Sequence, residues 1–197
     1  MDSDAYLTIA GPSGGSLREK MSKFIAFAHP VSSAADAKEV VARYQKEYHD
    51  ARHVCWAYML GAERKDFLSS DNGEPSGTAG KPILGQINSF GVTDIVIVVV
   101  RYFGGIKLGT SGLIAAYREA ARLAIEDAEI VQRYVMTEIS FTFPYVAMNS
   151  VMKLVKNGEV EIASQEFDNT CRMTLSCHRS LEDQLRARLC DIDGVSL

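Results

Sequence analysis

The sequence IVIVVVRYFGGIKLGTSGL, from Ile95 to Leu113, is the most informative part of this chain. Its first six residues, Ile95 to Val100, are all β-branched aliphatics, which predicts a short strand that is buried on both faces. Arg101, an aromatic pair and a glycine-rich loop follow, and a helix begins at about Thr110. Free backbone N–H groups at such a helix start point toward an anion. The stretch therefore predicts where something binds, but not what.

Length and composition are typical of a folded chain without a membrane or secretory signature. The 197 residues are 47% hydrophobic, which is enough to bury a core in one or two domains. The longest apolar run, Ile95 to Val100, is far shorter than the roughly 20 residues that a membrane span needs. The N-terminus MDSDAYL lacks the basic and apolar regions of a signal peptide. We therefore expect a cytoplasmic protein without a membrane partner.

Charge and cysteine content bear on nucleic-acid binding and on disulfide or metal chemistry. The net charge is −4, so any basic surface for nucleic acid has to be a local patch. No CxxC pair occurs, and reduced thiols are expected for the four cysteines, Cys55, Cys171, Cys177 and Cys190. We expect no sequence-specific DNA binding, no metal ion and no cofactor.

Periodicity along the rest of the chain predicts two α+β domains. In the first, a capped helix over 33–49 lies between two strands, and a long helix extends from about Thr110 to near Gln132. The second has the order β-α-β-β-α with a short last strand at Val195–Leu197, which is typical of a ferredoxin-like unit. The predicted boundaries are a flexible N-terminal segment over 1–16, a first domain over 17–134 and a second over 135–197.

The first candidate binding loop is DNGEPSGTAGKP, from Asp71 to Pro82. It offers hydroxyls and N–H donors ahead of a helix, but it lacks the glycine spacing of a P-loop, and Pro82 follows its lysine. The alternative is a structural loop in which Asp71 and Asn72 make turns. Its candidate binding residues are Asp71, Glu74, Ser76, Thr78 and Lys81.

The second candidate is the loop that follows the buried strand. Its GGIKLG sequence lacks the GxGxxG spacing, which makes a dinucleotide site a poor interpretation. Basic side chains, hydroxyls and backbone N–H groups there suit a phosphate. The alternative is a tight strand-to-helix turn with packed aromatic rings. The candidate binding residues are Arg101, Gly104, Gly105, Lys107, Thr110 and Ser111.

A third candidate is His53-x-Cys55, a pair on one face of a predicted strand. The two side chains could act as base and nucleophile or as two metal ligands. Catalysis needs a third group to orient the histidine, and a metal needs further ligands. The sequence does not supply either, so a packed strand face is the favoured interpretation. Arg52 and His53 are also candidate binding residues.

Several segments together resemble the YigZ/IMPACT family. They are KMSKFIA (Lys20–Ala26), RHVCWAY (Arg52–Tyr58), SDNGEPSGTAGKPIL (Ser70–Leu84) and VVVRYFGGIKLGTSGL (Val98–Leu113). The resemblance implies an α+β architecture of two domains. The first, an IMPACT-type N-terminal domain, would resemble the second domain of ribosomal protein S-five, as in domain IV of elongation factor G. The second would be a ferredoxin-like βαββαβ domain.

The resemblance also has functional implications and departures. Eukaryotic relatives regulate translation by restraining activation of an amino-acid-starvation kinase. The family usually has a second aspartate where this chain has Asn72, which weakens a metal site in the first loop. It often has a basic residue where Ala115 stands and a glycine where Ser111 stands, which weakens a phosphate clamp at the second loop.

Together these observations favour a non-enzymatic regulator that binds structured RNA, the ribosome or a ribosome-bound translation factor. Its cations would contact phosphates rather than bases, namely Arg52, Lys81, Arg101 and Lys107. The rival hypothesis is an enzyme that acts on a phosphorylated or nucleotide substrate, with His53, Cys55 and Glu74 as catalytic residues. A third hypothesis is a protein-interaction adaptor without nucleic-acid contact.

Overall fold

The computed structural model of the chain describes residues 4–168 and 170–197. Those residues form two compact units, one over 6–133 and one over 134–197 that also takes in the chain up to Ala5. Both contain helices and sheets, which confirms the predicted two-domain α+β class. The elements in chain order are β1 (Ala5–Ile9), β2 (Ser13–Glu19), β3 (Ser22–Pro30), α1 (Ala34–Glu47), β4 (His53–Leu60), β5 (Asp66–Ser70), α2 (Gly80–Phe90), β6 (Ile95–Tyr102), α3 (Gly109–Glu126), β7 (Ile130–Tyr134), β8 (Met136–Phe143), α4 (Met148–Asn157), β9 (Val160–Phe167), β10 (Cys171–His178) and α5 (Glu182–Cys190).

The first unit is built on an antiparallel sheet of five strands in the order β2-β3-β6-β4-β5. β6 is the central strand, and its side chains alternate between two apolar layers. Ile95, Ile97 and Val99 pack with α2 and α3, whereas the intervening valines pack with α1. All six residues of the aliphatic run are fully buried, which confirms the prediction of a strand covered on both faces.

Local sequence signals fix several element ends. α1 begins after Ser33, whose hydroxyl accepts the Asp36 N–H at 3.1 Å, as the capping pattern predicts. α2 ends at Phe90, and the capping residue Gly91 adopts the left-handed conformation at φ 67°. α3 ends at Glu126 rather than near Gln132, because the following residues form β7 and pair with β1.

The N-terminal segment differs from its prediction. The sequence predicts a flexible segment over 1–16, of which residues 1–3 lie outside the described part of the chain. The remainder contains all of β1 and the beginning of β2. β1 pairs with β7 at the far end of the unit, and no local pattern marks a strand whose partner is so distant. β2 pairs with the adjacent β3, and the Ser13 hydroxyl also donates to the carbonyl of Ala124 in α3, 111 residues further along, at 2.7 Å.

The second unit has a three-stranded antiparallel sheet in the order β8-β10-β9, and Ser196 bridges to Thr142 on the free side of β8. One face of β10 is fully buried in a core with α4 and α5, which confirms its predicted inward residues, Cys171, Met173, Leu175 and Cys177. Among the helices that the structure describes, none is long and apolar enough to cross a membrane.

Candidate functional site

The two glycine-rich loops line a single cleft in the first unit. Its volume is about 430 Å³. The loop before α2 contributes Gly73–Pro75, and the loop before α3 contributes Phe103 and Lys107. β5, which precedes the first loop, ends at Ser70 opposite Trp56 of β4, and β6, which precedes the second loop, reaches Arg101 opposite His53 of β4. Both loops therefore leave the sheet at the same end of its strands. The sequence alone does not show this juxtaposition.

A buried ion pair forms the floor of the cleft. Arg101 Nη1 lies 2.6 Å from Glu74 Oε1, and the two side chains are only 6% and 3% exposed. The Tyr117 hydroxyl donates to the same Glu74 oxygen at 2.8 Å. Because a buried charge needs a partner, Glu74 and Arg101 hold each other in place. Arg101 is therefore less available to an outside phosphate than its position in the second loop predicts.

The rest of the Arg101 guanidinium is only partly satisfied. Nη2 donates to the Ser22 hydroxyl at a long 3.4 Å, and Nε has no hydrogen-bond partner within the described residues. Its central carbon lies 5.6 Å from the centre of the Phe24 ring and 5.5 Å from that of Phe103. Both distances are within the range of a cation–π contact.

His53 is oriented by the first loop. Its Nδ1 lies 2.9 Å from the carbonyl oxygen of Asn72; since a carbonyl oxygen only accepts, Nδ1 is the donor. Nε2 lies 3.8 Å from Glu74 Oε2. Both His53 and Glu74 line the cleft. The His53 ring therefore has a fixed orientation, with Nδ1 on the first loop and Nε2 beside the Glu74 carboxylate.

Cys55 does not line the cleft. Its thiol is fully buried in the core, 3.0 Å from the Asp71 carbonyl and 3.3 Å from the Tyr117 hydroxyl. Burial raises the pKa of the Cys55 thiol to about 12, and a protonated thiol is a poor nucleophile. The structure therefore gives no support to Cys55 as a nucleophile with His53 as its base.

Asp71 is the main organiser of the first loop. One carboxylate oxygen accepts the N–H groups of Ala79 at 3.0 Å and Gly80 at 2.8 Å, and the other accepts that of Gly77 at 2.8 Å. Burial alone would raise the pKa of Asp71, but these backbone donors outweigh it and hold the pKa below its ordinary value. Its carboxylate is therefore used within the loop, at the start of α2.

The other predicted binding residues divide by location. Thr78 is buried and donates to the Pro75 carbonyl at 2.7 Å. Lys81 lines a different groove of about 500 Å³, between α2 and α3. Exposed side chains that do not line the cleft are Ser76 and Ser111. The cleft brings together the remaining side chains, namely Arg52, His53, Glu74, Arg101, Lys107 and Thr110.

Gly104 and Gly105 have structural roles in the second loop. A Cβ on Gly104 would lie 2.0 Å from the carbonyl oxygen of Met21, so only glycine allows the loop to approach the β2–β3 turn this closely. Gly105 has a φ of +90°, which side-chain-bearing residues rarely adopt. The two glycines therefore shape the loop, and neither lines the cleft.

The sequence did not single out Tyr117 and Ser22 as parts of the site. Tyr117 lies on the buried face of α3, and its hydroxyl is a member of the buried network. A signal was available, because a fully buried tyrosine needs a partner for its hydroxyl. Among residues 4–168 and 170–197, no group of three or more His, Cys, Asp and Glu side chains could hold a metal ion.

Known proteins are similar to this chain over the segments that build the cleft. The family model of the Impact N-terminal domain matches residues 20–125. The IMPACT family member YigZ of Escherichia coli (strain K12) is 32% identical over 180 residues, which cover 90% of this chain and 88% of YigZ. An IMPACT family member of Haemophilus influenzae is 36% identical over 159 residues, covering 79% of this chain and 77% of its own.

A solved structure is similar along nearly the whole chain. It is a crystal structure of a hypothetical protein, with a TM-score of 0.72 and 31% identity, covering 95% of this chain and 92% of that one. The Impact domain match spans the strands and both loops that build the cleft. Since that match covers more than half of the residues and the bacterial relatives align along most of theirs, the chain belongs to the IMPACT family.

Proposed function

We propose that the protein is a non-enzymatic regulator of translation whose cleft holds phosphate groups of ribosomal or other structured RNA. The observation that carries this proposal is the meeting of the family-like segments at one basic cleft. Arg52 and His53 come from the second segment, Glu74 from the third and Lys107 from the fourth. Ser22, from the first segment, supports Arg101 underneath.

The charges of the cleft support an anionic ligand. Three cations and one carboxylate line it, and Glu74 compensates Arg101. Arg52 and Lys107 are exposed and have no ion-pair partner in the described part of the chain. The first residues of α3, Gly109 and Thr110, also line the cleft, and N–H groups in a first helical turn lack intrahelical acceptors. The whole chain is acidic at −4, so the attraction is local.

We infer that each unit has a fold used in translation. For the unit over 6–133, the inference of a fold like the second domain of ribosomal protein S-five rests on the family resemblance. In the other unit, the bridge from Ser196 to β8 gives the order Ser196-β8-β10-β9, with α4 and α5 in the core. That order supports a ferredoxin-like domain. The partner would be the ribosome, structured RNA or a translation factor.

Co-sedimentation with ribosomes and separated subunits tests the proposal. We expect the wild-type protein to bind at low salt and the double variant Arg52→Ala/Lys107→Ala to lose most binding, because both removed cations face the cleft. The matched control is Lys153→Ala/Arg188→Ala, which removes the same charges from exposed positions on α4 and α5. Equal losses in the two double variants would contradict a role for the cleft.

The His53–Glu74 contact favours a second candidate function, an enzyme for a phosphorylated or nucleotide substrate. His53 Nε2 lies in the cleft beside Glu74, and His53 would act as the general base, without Cys55. A bound ligand raises the melting temperature by mass action. The enzyme hypothesis therefore expects a shift with some members of a panel of nucleotides and phosphorylated metabolites, and a panel without any shift would contradict it.

A further inference from the structure

We propose that the cleft takes an unpaired nucleotide, with its base stacked on the ring of Phe103 and its phosphate beside Arg52 and Lys107. The inference rests on the proposed function and specifies the class of RNA that the cleft accepts. An unpaired base in a loop, bulge or single strand would bind, whereas a base inside a duplex would not.

Phe103 is the first observation behind this inference. It lines the cleft, and 41% of its surface is exposed, although large apolar rings are ordinarily buried. An exposed aromatic ring beside cations is the pattern with which proteins bind unpaired bases, because every base has a π-face to stack on such a ring. The ring therefore has a use in the cleft beyond packing.

The ring is also held in place before any ligand arrives. The Arg101 guanidinium lies 5.5 Å from the ring centre, and Arg101 is itself fixed by its ion pair with Glu74. The next residue, Gly104, donates its N–H to the Ser22 hydroxyl at 3.4 Å and packs against the backbone of Met21. A preformed stacking surface lowers the ordering cost of binding.

The size and charge of the cleft suit one nucleotide. Its volume of about 430 Å³ lies within the range of small-molecule sites. Arg52 and Lys107 share its lining with Phe103, so a phosphate and a base of the same nucleotide have different partners. In an A-form duplex the bases are already stacked on each other, and reading them requires unpaired regions. The cleft is therefore expected to prefer single-stranded RNA.

Titration of a short single-stranded RNA that contains 2-aminopurine tests the inference. Its fluorescence falls when the base stacks on an aromatic ring, and it is read separately from affinity. We expect quenching with the wild-type protein. Phe103→Leu should weaken binding by about tenfold and remove the quenching, because stacking on one ring contributes this much. Phe103→Tyr keeps an aromatic face and should behave as the wild type.

The arms of the titration separate this inference from the proposed function. Arg52→Ala/Lys107→Ala should weaken binding but retain quenching at saturation. Two results would overturn the stacking inference: affinity and quenching in Phe103→Leu as large as in the wild type, or binding of the matching RNA duplex as tight as that of the single strand. Neither result would contradict ribosome binding. A free mononucleotide that binds more tightly than the single-stranded RNA would overturn RNA as the source of the nucleotide. Thermal unfolding of each Phe103 variant verifies that it is folded.

Discussion

Replacement of Glu74 by alanine is expected to destabilise the first unit by about 3–5 kcal/mol, since it leaves the buried charge of Arg101 without its partner. The Tyr117 hydroxyl would lose its acceptor at the same time. Urea unfolding followed by tryptophan fluorescence measures the effect in this unit alone, because the single tryptophan of the chain, Trp56, lies in β4.

Two further variants separate the charge from the packing. Glu74→Gln keeps an oxygen for Tyr117 but removes the negative charge, so it should lose most of the same stability. Glu74→Leu/Arg101→Met removes both charges and should recover much of it, because well-packed apolar side chains replace buried ion pairs at small cost. A loss below about 1 kcal/mol in Glu74→Ala, typical of a surface pair, would contradict the buried pair.

Asp71→Ala is expected to give the second large effect, a loss of about 2 kcal/mol or more, because a capping carboxylate and its charge-assisted hydrogen bonds disappear together. The substitution leaves the N–H groups of Gly77, Ala79 and Gly80 without their acceptor. Ser76→Ala is the control, since this exposed serine lies in the same loop and should change stability by less than about 0.5 kcal/mol. Equal effects of the two variants would contradict the role of Asp71.

The lowered pKa of Asp71 also predicts how the stability of the fold changes at acidic pH. Backbone donors hold the pKa of the folded state below the ordinary value of 3.8, so the ionised group stabilises the fold at pH values above that ordinary value. This contribution is lost as the pH falls through the lower pKa of the folded state. Asp71→Asn should therefore flatten the loss of stability in acid, as measured by urea unfolding across a pH series. An unchanged acid limb would contradict this assignment.

Local signals in the sequence predict much of the first unit. The aliphatic run of β6 and the cap at Ser33 each depend on a few neighbouring residues, and the structure confirms both. β1 and β7 were not predicted, because their pairing joins the two ends of the unit. Helical periodicity also extended α3 past Glu126 into a segment that tertiary pairing makes a strand.

The contacts of the site are even harder to predict from local sequence than those of the fold. Arg101 and Glu74 are 27 residues apart in sequence, and Glu74 and Tyr117 are 43 apart, so spacing alone does not reveal the buried network. From residue type, Arg101 is expected to contact phosphate, whereas in the fold it supports Phe103 and neutralises Glu74. The sequence predicts at most a packing role for the ring of Phe103, since it does not show which aromatic rings remain exposed.

The salt dependence of ribosome binding tests the central proposal most directly. We expect the logarithm of the wild-type association constant to fall linearly with the logarithm of salt concentration. The slope should decrease in magnitude by about two in Arg52→Ala/Lys107→Ala, roughly one for each lost phosphate contact. The control Lys153→Ala/Arg188→Ala should keep the wild-type slope. Equal slopes in the wild type and the cleft variant, or no wild-type binding at low salt, would contradict phosphate binding by this cleft.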